Sequence, residues 1–386
     1  MNRTHWMYVS QWNLKVGAPG LTLCAFDAET GEIEIVKQLD DKLSLGCSHI
    51  DRERNVLYVV NECDLFPETA MPSGRVHAFH IDPATGGLEK LNHKETYCPF
   101  TSFVNTDPSG KYLITSNHSW PSFVTNVEKD ENGKIICKRV SNDSLVNLFE
   151  LNEDGTIGEM IDFYRHPYDG ELHLSLLGRP HIPHPHCMMR SPDGRFFACC
   201  DKGDSHLYLY AIEAGRLVLK SRTLTDTHHS EPRYCMFHPT KPLLYVNHEH
   251  TPGDKLTMTT LRYFEDGTVK EVGETYADLS AFEPKEAPRQ MQGMIITPDG
   301  KYVYSQAHGY NRILIFSTEG ETLEFIGSEP IRGVWPRSLH TSPDGKFLIN
   351  NCLGGDITVY AINPDGSLTD TGNHAFIRGA GYVSFY

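Results

Sequence analysis

The segment TSPDGKFLINNCLG, residues 341–354, joins a tight turn to a run of strand-forming residues. Proline presets φ at the first turn position, and Asp and Gly accept the conformations that follow, so this phrase predicts a turn that opens a β-strand. Similar phrases stand at 106–118, 190–203, 237–250 and 296–309, and residues 50–62 form a looser copy. The six copies indicate a repeated structural unit.

A second recurring phrase alternates apolar and polar residues and runs into a glycine-containing turn. Its first copy is LTLCAFDAETGEI (21–33) and its last is ITVYAINPDGSL (357–368). The turn glycines recur about every 56 residues, at Gly31, Gly87, Gly155, Gly215, Gly267, Gly320 and Gly366. A fixed period of this length is the signature of a repeat architecture, and the phrase counts seven repeats.

Each repeat holds about four short strands and almost no helical periodicity, so one repeat alone would leave both faces of a small sheet uncovered. Radial packing buries those faces. We therefore predict an all-β fold, a seven-bladed β-propeller with four-stranded antiparallel blades, as one domain over residues 1–386. The first repeat lacks its own PDG turn and the chain ends in AFIRGAGYVSFY (375–386), so we expect N- and C-terminal strands to close the ring. An open β-solenoid is the alternative, although its repeats are normally shorter.

Composition excludes several classes of partner. The net charge of -15 opposes binding to nucleic acid or to an anionic membrane, because both require a basic face. No apolar run has the length of a signal-peptide core or a membrane span, so we expect neither a leader segment nor a transmembrane segment. The ten cysteines include no CxxC pair, and we expect reduced thiols in a cytoplasmic protein. Since GxGxxG, GxxxxGK[ST] and GxSxG motifs are missing, we predict no cofactor and no serine triad.

Several phrases together resemble the lactonase family of seven-bladed propellers. They are the PDG turns, MYVSQWN (7–13), EPRYCMFHPTKPLLYVNHE (231–249) and WPRSLHTSPDGKFLINN (335–351). That family includes cycloisomerase-type 6-phosphogluconolactonases and the fungal 3-carboxy-cis,cis-muconate lactonizing enzyme. The resemblance covers essentially the whole chain. It implies hydrolysis of a small sugar-acid lactone, either 6-phosphogluconolactone or a non-phosphorylated aldonolactone.

The resemblance also implies a set of catalytic residues. His186, the last histidine of His-Pro-His-Cys (184–187), matches the family's catalytic histidine. Arg233 in EPRY and Arg337 in WPRS match its Pro-Arg phrases, and Glu249 matches the glutamate of its V-N-E phrase. We expect substrate contacts from His181, His184, His118, His308 and Arg289. The chain departs from the family in the sixth repeat, where Gln306 to Gly309 replace the common Asn-Arg-Gly, and at His118, where an aromatic residue is common.

These residue types suit the opening of a lactone, which is a cyclic ester. The reaction needs an activated water, a group that stabilises the oxyanion, and a proton for the departing alkoxide. Histidine titrates near neutrality and can activate water, while arginine can hold an oxyanion or an anionic substituent. Glutamate can orient either of them. A propeller brings loops and inner strands from distant blades to one channel, so the residues can meet at its mouth.

Four alternatives remain at this level. The arginines and Glu249 could form buried ion pairs between blades, and His186 could be structural. The same residues could catalyse lactonization of a carboxymuconate, or the propeller could be a non-catalytic protein-binding module, which predicts a broad exposed apolar patch. A metal site is the fourth alternative, with ligands from His181, His184, His186, His228, His229, His248, His250, Glu231 and Glu249. The spacing HxxHxH is not diagnostic and the family resemblance requires no metal, so we predict none.

Overall fold

The computed structural model describes residues 4–12, 20–39, 43–62, 73–119, 123–168, 174, 178, 181–225, 230–250, 256–284 and 289–386. These residues form strands, turns and bends, and none of them is helical. No helix in this part of the chain is long and apolar enough to cross a membrane. The strands make seven four-stranded antiparallel sheets and one two-stranded sheet. The predicted all-β, seven-bladed propeller is confirmed.

The thirty described strands follow one another in chain order. They are β1 (Thr4–Gln11), β2 (Leu21–Asp27), β3 (Ile33–Leu39), β4 (Leu45–Asp51), β5 (Val56–Asn61), β6 (Arg75–Ile81), β7 (Leu88–Glu95), β8 (Thr101–Thr106), β9 (Tyr112–Asn117), β10 (Phe123–Lys129), β11 (Ile135–Ser141), β12 (Leu145–Leu151), β13 (Ile157–Arg165), β14 (Met189–Arg190), β15 (Phe197–Asp201), β16 (His206–Glu213), β17 (Arg216–Leu224), β18 (Pro232–Phe237), β19 (Leu243–His248), β20 (Leu256–Tyr263), β21 (Val269–Ala277), β22 (Gln290–Ile296), β23 (Tyr302–His308), β24 (Arg312–Ser317), β25 (Glu324–Pro330), β26 (Pro336–Thr341), β27 (Phe347–Cys352), β28 (Asp356–Ile362), β29 (Leu368–Phe376) and β30 (Ala380–Phe385).

The two ends of the chain close the ring in blade 1. Its strand order is β3-β2-β1-β30, so the C-terminal strand is innermost and pairs with β1, with Met7 opposite Phe385. The inner strand and the second strand of this blade come from opposite ends of the chain, so no turn joins them. This arrangement explains why the first repeat lacks a PDG turn, and it confirms the predicted closure.

Blades 2 to 7 begin with the innermost strand. Five blades each consist of four consecutive strands: β4–β7 in blade 2, β14–β17 in blade 4, β18–β21 in blade 5, β22–β25 in blade 6 and β26–β29 in blade 7. Blade 3 has the order β13-β12-β9-β8, and the two-stranded hairpin β10–β11 is inserted between its second and third strands. The repeat pattern did not predict this hairpin. Blade 4 is also irregular, because its innermost strand β14 is only two residues long.

The PDG turns pack one blade against the next. Gly194, at φ 72°, lies so close to the turn of blade 3 that a Cβ would stand 2.0 Å from Pro108 Cγ. Gly300, at φ 77°, repeats the contact with Pro239 at 2.8 Å. Glycine is required here both by its positive φ and by the close approach. Of the glycines in the second phrase, Gly86 rather than Gly87 has the positive φ, and Gly320 does not adopt it.

Candidate active site

Six of the seven innermost strands carry a β-bulge in their first half. In blade 4 the extra residue lies ahead of β14, between the bridge from Pro185 to Asp201 and the pair Met189–Ala198. In blade 5, for example, Pro232 pairs with His248 and Tyr234 with Asn247, so Arg233 is an extra residue that faces no partner. A bulge re-aims side chains locally, and here it turns them towards the channel. In each blade the extra residue comes after one last paired position, and we call the residues that directly follow these positions the bulge ring. It comprises Gly46, Ser102, His186, Arg233, Gln292, Arg337 and Gly381.

A second ring of residues lies on the second strand of each blade. Each member directly follows the residue that pairs with the last position before the extra residue, as Glu249 follows His248, the partner of Pro232. In six blades its backbone N–H donates to the carbonyl two residues before the bulge residue; Glu249 N bonds to Glu231 O at 2.8 Å, for example. We call this set the strand-end ring, which comprises Trp12, Glu62, His118, Lys202, Glu249, His308 and Leu353. Five of these seven positions carry an ionisable side chain, so the fold gathers charge at this face.

Arg233 and Glu249 form an ion pair on this face, with Nε and Oε2 2.9 Å apart. Lys202 Nζ approaches the same Oε2 at 2.5 Å and Glu231 Oε2 at 3.8 Å. Burial raises the pKa of Glu249, but Lys202, His250 and Arg233 outweigh burial and hold it well below the ordinary glutamate value. Arg233 is only 2% exposed, so its guanidinium is an interior group at this face.

Arg337 forms the second ion pair, with a carboxylate from another blade. Its Nη2 donates to both oxygens of Glu62, at 3.2 and 3.3 Å, and His118 Nε2 lies 3.2 Å from Glu62 Oε1. Burial opposes ionisation of Glu62, yet Arg337 and His118, with Arg233, lower its pKa to about 2. The Arg337 side chain keeps 24% of its surface exposed, so it reaches the channel more openly than Arg233 does.

His186 is buried between the two ion pairs. Its backbone is fixed by hydrogen bonds, with N donating to Cys200 O at 2.8 Å and the Ser102 hydroxyl donating to its carbonyl at 2.6 Å. Nδ1 of the ring is buried and makes no hydrogen bond with the described residues. Burial, with Arg233 and Lys202 as the next causes, lowers the imidazole pKa well below 6.5. The ring is therefore neutral at physiological pH.

Three of the five predicted substrate contacts lie near the site residues. The His118 and His184 rings pack at a tilt of 34° with centroids 4.2 Å apart, and His118 stacks on His186 at 5.9 Å, so these three histidines lie together. His308 packs against Trp335 on the other side of the channel, at 4.8 Å.

Two other predicted contacts lie elsewhere. The Arg289 guanidinium sits 5.9 Å from the Tyr310 ring, near the start of blade 6. His181 is buried in the segment before blade 4.

A narrow cavity of ≈ 20 Å³ lies at this site, which is enough for one water molecule. Bulge-ring and strand-end residues line it together with aromatic residues of the inner strands. The lining comprises Trp12, Leu45, Gly46, Cys47, Glu62, Ser102, Phe103, His186, Tyr234, Arg337, Gly381 and Tyr382. Imidazole, guanidinium and carboxylate groups thus share a water-sized space.

Sequence reasoning missed Glu62 and Lys202. Glu62 follows Asn61 in YVVNE as Glu249 ends VNHE, so the looser repeat copy at 50–62 carried a usable signal. Lys202 follows Asp201 in blade 4, and only alignment of that strand with its counterparts places it in the strand-end ring. Both residues complete ion pairs with predicted ones.

Two groups of described side chains could hold a metal. Glu231, Glu249 and His250 form one of them. Its carboxylates already face Lys202 and Arg233, so a cation would have to displace or tolerate two positive neighbours. The other group is Cys187, Cys200 and Cys235, three buried thiols behind His186. His228 and His229, considered as ligands above, lie outside the described residues.

Comparison with known proteins gives a consistent result. The family model "Lactonase, 7-bladed beta-propeller" matches residues 8–385. A 6-phosphogluconolactonase of Formosa agariphila is 24% identical over 92% of this chain and 91% of its own length. A 6-phosphogluconolactonase of Bacillus subtilis is 24% identical over 78% of this chain and 74% of its own. Among solved structures, a periplasmic gluconolactonase of Pseudomonas aeruginosa superposes with a TM-score of 0.78 at 17% identity, covering 99% of both chains.

Proposed function

This chain belongs to the lactonase family of seven-bladed β-propellers, and on that premise we propose that it is an enzyme that hydrolyses a sugar lactone at the mouth of its channel. The observation that carries the proposal is His186, a buried neutral imidazole that lines a water-sized cavity with Arg337 and Glu62. The two named 6-phosphogluconolactonases and the gluconolactonase act on substrates of this class by name, which supports the reaction type.

In the proposed reaction, His186 accepts a proton from water as the water oxygen bonds to the lactone carbonyl carbon. Negative charge develops on the carbonyl oxygen, and Arg337 stabilises it because its guanidinium retains exposed surface at the cavity. The ring C–O bond then breaks, and the leaving alkoxide takes the proton back from His186 to give the hydroxy acid. Glu62 and Glu249 hold the two arginines in place.

Arg233 has a less direct part in this scheme. It is almost fully buried and paired with Glu249 of its own blade, whereas the ion-pair alternative placed such pairs between blades. Its charge nevertheless lowers the pKa values of His186 and Glu62, so it acts on the site through the field that it creates. We assign it to oxyanion stabilisation at longer range and to keeping His186 deprotonated.

The substrate class follows from the charges at the mouth. Arg337 faces Glu62, Arg233 faces Glu249, and Lys202 faces Glu249 and Glu231, so each described cation here already has a carboxylate neighbour. A phosphate group would add further negative charge beside those carboxylates. We therefore favour a non-phosphorylated aldonolactone over 6-phosphogluconolactone.

The test is a pH-indicator assay of lactone opening on plain and phosphorylated aldonolactones, with and without chelator. His186→Ala should lower kcat/KM by about 10²–10⁴-fold, which is the usual contribution of a general base. His93→Ala is the control, because His93 lies on the outermost strand of blade 2 and should leave the rate unchanged.

Three results would decide between the readings. A strong preference for the phosphorylated over the plain aldonolactone would contradict the argument from charge, but it would leave the proposed lactonase activity standing. Activity that is abolished by chelator contradicts the metal-free mechanism. No turnover of any lactone, together with turnover of a carboxymuconate, assigns the site to the lactonizing reaction instead.

A further inference from the structure

Trp335 is an exposed aromatic residue beside the bulge ring, and the proposed mechanism gives it no role. It lies immediately before β26, two residues before Arg337, which belongs to the bulge ring. Its side chain is 51% exposed, and its backbone has φ 59°. Exposed tryptophan is uncommon on protein surfaces, and exposed aromatic residues at a cavity mouth are typical of ligand contact.

The positive φ is imposed by the fold. The equivalent residues of blades 3 and 5, Phe100 and Glu231, have φ 57°, and each accepts the backbone hydrogen bond that closes the bulge, as Trp335 does from Leu353 N. Those two side chains are buried. Glycine would adopt this conformation without steric cost, whereas tryptophan is strained there. Neither backbone geometry nor burial therefore accounts for a half-exposed indole at position 335.

The indole is held in a defined place. Its ring packs on His308 of the strand-end ring, with centroids 4.8 Å apart and planes tilted by 43°. His308 is almost completely buried, so it forms the floor on which the indole rests. Trp335 is not among the residues that line the cavity, but it precedes Arg337, which does line it, by only two positions at the start of the same innermost strand.

We propose that Trp335 is a stacking platform for the sugar ring of the substrate. An aromatic face carries negative quadrupole charge and attracts the polarised C–H bonds on the less polar face of a sugar ring, and the contact also buries apolar area. Trp335, supported by His308, binds the ring while Arg337 faces the reacting carbonyl. This inference rests on the proposed lactonase function and adds to it the residue that recognises the carbohydrate part of the substrate.

The test compares Trp335→Gly with Tyr97→Gly. Tyr97 is a matched control, since it is an exposed aromatic residue with φ 55° in the connection between blades 2 and 3. Both changes relieve the strain of a positive φ, so neither should lower Tm. We expect Trp335→Gly to raise KM roughly tenfold with kcat little changed, Tyr97→Gly to alter neither, and Trp335→Phe to recover most of the loss.

A binding measurement separates this inference from the proposed function. An aldonolactam, in which nitrogen replaces the ring oxygen, is titrated calorimetrically into the wild type and the three variants. If Trp335→Gly is the only variant that binds the lactam more weakly, the result supports the platform. This holds even if the protein turns over no lactone, a result that would overturn only the proposed hydrolase. Equal KM and equal lactam affinity in Trp335→Gly and the wild type would overturn the platform and leave the hydrolase standing.

Discussion

At the scale of single residues, the site is governed by burial and by the sign of neighbouring charge. His186 has the cations of Arg233, Lys202 and Arg337 around it, with His118 as a further neighbour. Each of these disfavours a proton on the imidazole, as burial does. Glu62 experiences the opposite outcome, because its cationic neighbours outweigh its burial. A neutral base and an ionised carboxylate therefore coexist in one small cavity.

With His186 as the proposed general base, its lowered pKa sets the expected pH dependence of the reaction. A general base works only when deprotonated, so kcat/KM should stay constant down to pH 6.5 and fall, about tenfold per pH unit, only at lower pH. Lys202→Met removes one of the charges that lower this pKa, so its acid limb should move to higher pH. The profile is measured with buffers of constant ionic strength.

The control for this profile is Lys220→Met. Lys220 pairs with Glu213 on the surface of blade 4, and its removal should leave the acid limb in place. An acid limb near pH 6.5 in the wild type, or the same limb in the wild type and Lys202→Met, would contradict the assignment of His186 as the base.

At the scale of elements, buried amides support the bulges that present the site residues. Asn247 of β19 accepts from Tyr234 N at 2.9 Å, just after the bulge at Arg233, and donates to Gln292 O of blade 6 at 2.7 Å. Gln306 of β23 does the same one blade later, accepting from Gly293 N and donating to Ser338 O. Each amide satisfies a bulge in its own blade and fastens the next blade to it.

Replacing Asn247 by leucine tests this arrangement. The change keeps the volume similar but leaves Tyr234 N–H and Gln292 C=O unpaired, which costs about 1–3 kcal/mol for each buried group. Tm should fall, and kcat/KM should fall as well because Arg233 is no longer held at the bulge. Both quantities are obtained from the same preparations by calorimetry and by the lactone assay.

Asn147→Leu distinguishes stability from positioning. Asn147 is also fully buried, but it lies on β12, the third strand of blade 3, and donates to Thr96 O at 2.8 Å, so it does not hold a bulge of an innermost strand. Its loss should lower Tm while kcat/KM at 25 °C is retained. If Asn247→Leu behaved in the same way as Asn147→Leu, the amide would have no part in the site.

At the scale of the whole molecule, the ring depends on one strand from the end of the chain. β30 supplies the innermost strand of blade 1, contributes Gly381 and Tyr382 to the cavity, and is followed by a hydrogen bond from Tyr386 N to Trp6 O at 2.8 Å. The hairpin β10–β11 is different, because its strands pair with each other and not with a blade. The two elements should differ sharply in their contribution to stability.

Truncation before residue 378 should leave the inner edge of β1 unpaired and open the ring, giving aggregated protein without lactonase activity. Replacement of residues 123–141 by two glycines should leave Tm and kcat/KM close to the wild type. Soluble yield, Tm and rate are compared for both variants. A truncated protein that unfolds at the wild-type temperature would show that β30 does not close the ring.

The sequence determined the architecture because its signals are local. PDG turns and alternating strands recur at a fixed period, and a missing turn in the first repeat with a spare strand at the end predicted the closure that β1 and β30 form. Through the family resemblance, phrases such as EPRY and WPRS also led to Arg233 and Arg337, and both residues lie at the bulge that recurs from blade to blade. Neither the β10–β11 hairpin nor the partners Glu62 and Lys202 could be predicted with equal ease.

Only the tertiary structure decided which charges neutralise one another. Glu62 and Arg337 are 275 residues apart in the chain. They meet because the second strand of blade 2 ends, and the first strand of blade 7 begins, at the same channel mouth. The sequence likewise did not determine how deeply each side chain is buried. The structure shows that Arg233 is an interior charge and that Trp335 is an exposed ring. Ion pairing and burial depend on distances between blades, and periodicity along the chain carries no information about those distances.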